Sequence, residues 1–193
     1  MDLLQKCASE FERLISYQYH IMIGRKGRRL EFIISFNRAD FHHLAGLHKL
    51  KDNVSFQTGK REDIMRKILQ GRLTLLQAKQ SEFFKKMEPR LPYLSELERF
   101  LDSNEIIFRY NPKIHIFSAI EADYLLQNTH NGIPIYLFLA QRTGENTHVC
   151  RTFFPKSLKD YAEGQPRYTM LYKEKKNLVT GETVVQYDRL TQK

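Results

Sequence analysis

The sequence predicts an α+β fold, with N-terminal helices and a β-hairpin packed with a C-terminal antiparallel β-meander. Three observations lead there. Apolar residues recur at helical spacing through roughly the first hundred positions, and beyond Asn104 they change to short alternating or fully apolar runs. No strand–helix–strand alternation is present to build parallel pairs. The 193 residues are enough for one domain with a real core. That domain is taken as 1–193, with 1–103 mainly helical around a hairpin at about 17–36 and 104–193 forming the sheet.

Leu4, Cys7, Ala8, Phe11 and Leu14 share one helical face, and Asp2 stands where an N-cap belongs. Tyr17, Tyr19, Ile21 and Ile23 alternate along one strand and Leu30, Phe32, Ile34 and Phe36 along the next. Gly24 to Arg29 is expected to be the loop between them, carrying four cations and no acid. A short helix is expected after Asp40, and another from Thr58 to Gln70, closed by Gly71. Thr74-Leu75-Leu76-Gln77 has the form of a capping box, starting a helix that runs to about Met87. Pro89 and Pro92 punctuate the chain, and Leu94, Leu97 and Leu101 give a last helical stripe. Six strands then follow: 106–110, 114–120, 134–140, 149–154, 168–173 and 183–187.

With 31 Lys and Arg against 22 Asp and Glu, the net charge is +9, which favours an anionic partner. The surplus is uneven, since residues 101–150 are net negative and the other stretches are positive. No apolar run approaches the roughly 18 residues that span a bilayer. Met1-Asp2-Leu3 lacks the layout of a secretory signal, so a cytoplasmic protein with no membrane contact is expected. Cys7 and Cys150, far apart and outside any CxxC, read as small core residues.

The densest group of functional side chains is Phe41 to Leu50, with His42, His43 and His48. On a continuous helix His43 and His48 would stand about 140° apart, so they would not converge on one metal ion. One of these histidines can be packed and satisfied by a backbone carbonyl. Alternatively one faces a groove beside Lys49, where an imidazole can take and give a proton near neutrality. In Cys150-Arg151-Thr152-Phe153-Phe154-Pro155, Arg151 or Thr152 can point a donor at a phosphate while the phenylalanines fill the core. Arg167 and Tyr168 can join Thr152 on one rim, although neighbouring strands bring many residues together by default. Glu121-Ala122-Asp123 reads as a solvated strand end. No P-loop, GxGxxG, GxSxG, HExxH or two-metal D-x-D pattern occurs, and no metal or cofactor is called for.

Phe41-x-His43-Leu44-x-Gly46-Leu47-x-Lys49-Leu50, the Thr74 capping segment, the apolar run 135–139, Arg151 to Pro155 and Gln165 resemble one known group. It is the fourth phage-associated branch of the Barnase–EndoU–ColicinE5/D–RelE-like nucleases, and the likeness runs from about Tyr17 to Lys175. The resemblance implies helices on an antiparallel sheet, origin in a phage or mobile element, and a toxin-like effector that cuts RNA without metal. It makes His43 the leading acid–base residue, Lys49 and Arg151 charge stabilisers, Thr152 a phosphate donor and Gln165 a positioning group. RNA contacts are expected at Arg25, Lys26, Arg28, Arg29, Arg167 and Tyr168. The alternative is a non-catalytic, anti-CRISPR-like inhibitor that binds a bacterial ribonucleoprotein or its guide RNA. A cognate antitoxin or a host defence protein is a further expected partner.

Overall fold

The computed structural model describes residues 1–103, 106–115 and 118–191. Residues 1–15 and 37–99 form one unit, mainly helical, and residues 16–36 and 100–193 form a second, which holds the strands. No helix among the described residues is long and apolar enough to cross a membrane.

In the helical unit, α1 (Leu3–Leu14) buries the stripe Leu4, Cys7, Ala8, Phe11 and Leu14 expected from the spacing. The Asp2 carboxylate accepts from Gln5 N at 2.9 Å and from Leu75 N at 2.7 Å, so one side chain caps α1 and the start of α5 (Leu75–Lys79). The Cys7 thiol donates to the Leu91 carbonyl at 3.1 Å, and burial pushes its pKa up to about 12, which keeps it inert. α2 (Arg38–Leu44) begins at a capping box formed by Asn37 and Asp40.

The helix expected from Thr58 to Gln70 starts later, at Arg61, and a separate short helix precedes it. α3 (Val54–Gln57) ends at the extended Thr58, Gly59 turns the chain with φ +104°, and α4 (Arg61–Leu69) follows, closing at Gly71. The Thr74–Gln77 capping box is present, but α5 stops at Lys79 instead of near Met87. The Asp52 carboxylate accepts from the Ser81 hydroxyl and from Glu82 N, and Ser81 Oγ accepts from Phe83 N. These bonds hold a turn, and two 3-10 segments, Phe84–Lys86 and Glu88–Arg90, carry the chain to α6 (Leu91–Leu94) and α7 (Leu97–Asp102).

The strands are β1 (Tyr17–Arg25), β2 (Arg28–Ile34), β3 (Ile106–Arg109), β4 (Tyr124–His130), β5 (Ile133–Gln141), β6 (His148–Pro155), β7 (Arg167–Asn177) and β8 (Thr183–Asp188). β3 to β6 do form a meander, but the sheet does not stop there. Its order is β1-β2-β6-β5-β4-β3-β7-β8, and β7 also pairs with β1. Seven strands therefore close into a barrel, with β8 added alongside β7, and closure removes most of the exposed edges an open meander would leave.

Directions cannot alternate all the way round a ring of seven, so one neighbouring pair has to be parallel. That pair is β2 with β6, reduced to the partners Ile34 and His148 and the bond Ser35 N to His148 O at 3.0 Å. The barrel thus contains the one parallel contact that the absence of strand–helix–strand units had argued against.

The loop expected from Gly24 to Arg29 is only the two-residue turn Lys26-Gly27, with φ of +48° and +79°. Both central residues are left-handed, as the tight hairpin turn requires. The expected strand 114–120 is not a strand where described: Pro112–Ile114 is a 3-10 turn, 118–120 carry no regular structure, and 116–117 lie outside the described residues.

Candidate functional site

The histidine segment sits in the helical unit. His42 is buried, and its Nε2 donates to the Phe56 carbonyl at 2.8 Å, which makes it a packed core histidine. His43 lies in the last turn of α2. The helix then ends, and Gly46 turns the chain with φ +77° into the 3-10 turn Leu47–Lys49. This break overturns the 140° separation expected for a continuous helix. The His43 and His48 rings stack with centroids 4.2 Å apart and planes 6° from parallel. Gly46 is required for more than its φ, because a Cβ there would lie 3.1 Å from Met87 Cβ and 3.4 Å from Arg90 Cδ.

Cations surround this pair. Burial, reinforced by the charges of His43, Arg90 and Lys49, pulls His48 down to about 3, so its ring is neutral at pH 7. Burial and the charges of Arg90 and Lys86 lower Lys49 to about 8. Its ammonium donates to the Lys86 carbonyl at 3.3 Å. Arg90 is buried, and burial draws it down to about 10. The charges acting on His48 and Lys49 are all cationic, an arrangement that an anion would relieve. Among the described residues no three metal-ligating side chains gather.

The remaining expected residues lie in the barrel unit. Arg151 is exposed on a bulge of β6: Phe138 pairs with Thr152 and Leu139 with Cys150, so Arg151 has no opposite residue. Thr152, expected to offer a donor to phosphate, is instead buried opposite Phe138. Gln165 is buried too, and both ends of its amide are committed to Asn111, accepting from its N at 2.8 Å and donating to its carbonyl at 3.1 Å. It straps the loop before β7. Arg25, Lys26, Arg28 and Arg29 are exposed at the β1–β2 tip, and the Arg25 guanidinium lies 6.0 Å from the Tyr168 ring centre. Arg167 and Tyr168 begin β7 beside that tip, where Gly24 pairs with Thr169. The structure therefore gathers these cations at one end of the barrel, without Thr152.

Two groups were missed by sequence reasoning. At the same end, Arg109 lies 3.4 Å from Asp123 and 4.8 Å over the Tyr124 ring, and Tyr124 stacks on Phe32 at 4.2 Å. His148 stands 3.7 Å from Asp123, and burial lowers its pKa against the pull of that carboxylate. An open cleft of about 410 Å³ shares Asp123 with this group and is lined by Glu121, Gln141, Thr143 and Arg151 among others. Its residues come from four stretches of chain, so no local motif marks it. The signal within reach was Asn131-Gly132, with φ of +50° and +77°, a hairpin dipeptide that implies β4 and so places Glu121 and Asp123 at a strand start.

Comparison with curated proteins and with solved structures returns no match. A family model does match, over residues 3–190, and its description is phage-Barnase-EndoU-ColicinE5/D-RelE like nuclease4. The match takes in both the α2–Gly46–Lys49 segment and nearly the whole barrel unit. The chain belongs to this nuclease-like family.

Proposed function

We propose that the protein cleaves RNA without a metal, by attack of a ribose 2′-hydroxyl on the adjoining phosphate, with His43 and Lys49 transferring protons and Arg90 stabilising charge. The observation that carries this reading is the stacked His43–His48 pair set among cations. Two stacked imidazoles do not both hold a charge at 4.2 Å, and with His48 kept neutral the pair offers a base. Lys49, lowered to about 8, is still mainly an ammonium at pH 7 and releases its proton more readily than an ordinary lysine.

In this scheme His43 takes the proton of the 2′-hydroxyl as the O2′–P bond forms. The P–O5′ bond breaks, and Lys49 gives O5′ its proton. The products are a 2′,3′-cyclic phosphate and a 5′-hydroxyl, and exchange with water returns His43 and Lys49 to their starting states. Arg90 and Lys86 offset the negative charge that accumulates on the phosphorane. The tip cations Arg25, Lys26, Arg28 and Arg29, with Arg167 and Tyr168, hold the RNA backbone, in keeping with the +9 net charge.

The test is incubation of the purified protein with total bacterial RNA in EDTA, followed by analysis of the ends. Cyclic or 3′-phosphate ends are expected, and His43→Ala should lower the rate by about a hundredfold or more. Undiminished cleavage by that variant removes His43 from the mechanism. RNA that is bound but left intact turns the reading to the non-catalytic inhibitor of a ribonucleoprotein.

A further inference from the structure

We propose that the outer edge of β8 is a dimer contact, pairing antiparallel with β8 of a second copy of this chain. The contact is independent of the RNA reading above. β8 stands at the end of the sheet order, with β7 on one side and no strand of the described residues on the other. Natural edges are usually guarded by charge, proline or brevity, because their unpaired N–H and C=O groups template further pairing. The run Thr183-Val184-Val185-Gln186-Tyr187 holds no charge and no proline, and all but Gln186 are strong strand formers. Val184 and Val185 are each 52% exposed, and Leu178 and Val179 stand exposed in the turn that leads into the strand.

The strand's own symmetry sets the occupant. β8 carries a bulge: Tyr187 lies opposite Lys173 and Val185 opposite Glu174, so Gln186 is the extra residue. Val184 lies opposite Lys175, which shares a face of β7 with Lys173, so Val184 and Tyr187 share a face of β8 although three positions separate them. Thr183 and Asp188, opposite Lys176 and Tyr172, share the other face. Residues set opposite each other in an antiparallel pair must point to the same side. A twofold axis between Val185 and Gln186 meets that condition, with Val184 against the partner's Tyr187 and Thr183 against the partner's Asp188. The next residues outward, Glu182 and Arg189, are exposed, opposite in charge, and make no side-chain hydrogen bond or ion pair with any described residue. The same axis brings Glu182 of each copy to Arg189 of the other at both ends of the ladder, whereas parallel pairing would set like charges together. Each copy carries +9, but repulsion between the two chains is screened beyond about 8 Å at physiological ionic strength. β8 pairs with Tyr172 to Lys176 of β7, and the tip cations lie at the other end, where Gly24 pairs with Thr169. They stay outside the contact.

The experiment is sedimentation equilibrium of the full chain, without RNA, from about 5 to about 500 µM at about 0.15 M salt. A single strand pairing is smaller than a standard interface of roughly 1,600 Å², so a monomer–dimer equilibrium with Kd in the micromolar range is expected. Glu182→Arg and Arg189→Glu should each weaken the dimer about tenfold, because like charges then meet at both ends. The double variant restores opposite charges and should return the parent affinity. Mixing the two single variants should likewise give a heterodimer as tight as the parent dimer. Both side chains are exposed, and an unchanged melting temperature checks that the variants fold. Val185→Lys puts a charge on the edge and should abolish the dimer. A protein that stays monomeric throughout the range overturns the proposal and leaves the edge to an extended segment of another protein. A dimer indifferent to the single reversals, or a double variant as weak as the singles, overturns it too.

Discussion

Replacing Gly46 by alanine isolates the feature on which the histidine pair depends. Gly46 sits at φ +77°, where an L side chain costs about 1–2 kcal/mol. The added Cβ would also meet Met87 Cβ at 3.1 Å and Arg90 Cδ at 3.4 Å. Met87 Cβ is fixed to its backbone and cannot swing aside, so the turn or the Met87 segment has to move by a few tenths of an ångström, adding roughly 1 kcal/mol. The total of about 2–3 kcal/mol corresponds to a fall of about 5–10 °C in melting temperature for a chain of this length. Scanning calorimetry or melting followed by circular dichroism measures it. The same shift levers the Leu47–Lys49 turn away from α2, so RNA cleavage should drop more than stability alone accounts for at a temperature where the variant is folded. If the variant melts within 1 °C of the parent and cuts RNA at the parent rate, the close packing and the role assigned to the stacked pair are both wrong.

The lowered pKa of Lys49 has two consequences with opposite signs. Between about 8 and its ordinary 10.5 the unfolded chain holds that proton more often, so this group makes folding stability rise with pH across the window, which urea titrations at several pH values can follow. Cleavage that needs the ammonium instead declines above about pH 8, and Lys49→Met should lower its rate about a hundredfold and abolish that decline. Sulfate should raise the melting temperature more than chloride at equal ionic strength, because it can enter the cation cluster, and Arg90→Met should remove the difference. Reversing the charge of Arg25, Lys26, Arg28 and Arg29 should weaken RNA binding and flatten the slope of log affinity against log salt by about three, with the fold intact. Thr74→Ala removes the capping box of α5 at a cost of about 1 kcal/mol and should leave cleavage of RNA unchanged in the folded protein.

Elements set by local chemistry are readable along the chain. The face of α1, the cap at Asp2 and the Thr74 box depend on residues within a turn of one another, and each is where the spacing puts it. The His43–His48 contact was hidden because angular spacing assumes that a helix continues. Gly46, two positions after the last apolar residue of α2, carried the correction, being the usual place for a left-handed helix stop. Barrel closure was not legible, since β1 meets β7 across some 150 residues and neither strand records its partner. Thr152 shows the converse difficulty. A hydroxyl beside Arg151 looks like a pair of phosphate donors, but successive strand residues face opposite sides, and one faces solvent while the other is buried.

The odd number of strands in the ring has a consequence for its motions. Every antiparallel neighbour is joined by a ladder, whereas β2 and β6 meet at one register pair, backed by Ser35 Oγ donating to Thr147 Oγ1 at 3.0 Å. Amide protons along that seam should be the first in the barrel to exchange with solvent, as hydrogen-exchange mass spectrometry can check, since few bonds have to break there. A cylinder with one weak seam opens as a curled sheet hinged on its stronger ladders. His148 lies on the seam itself, with Phe32 and Tyr124 packed against its ring, so whatever loosens β2 from β6 also uncovers the imidazole at the barrel end.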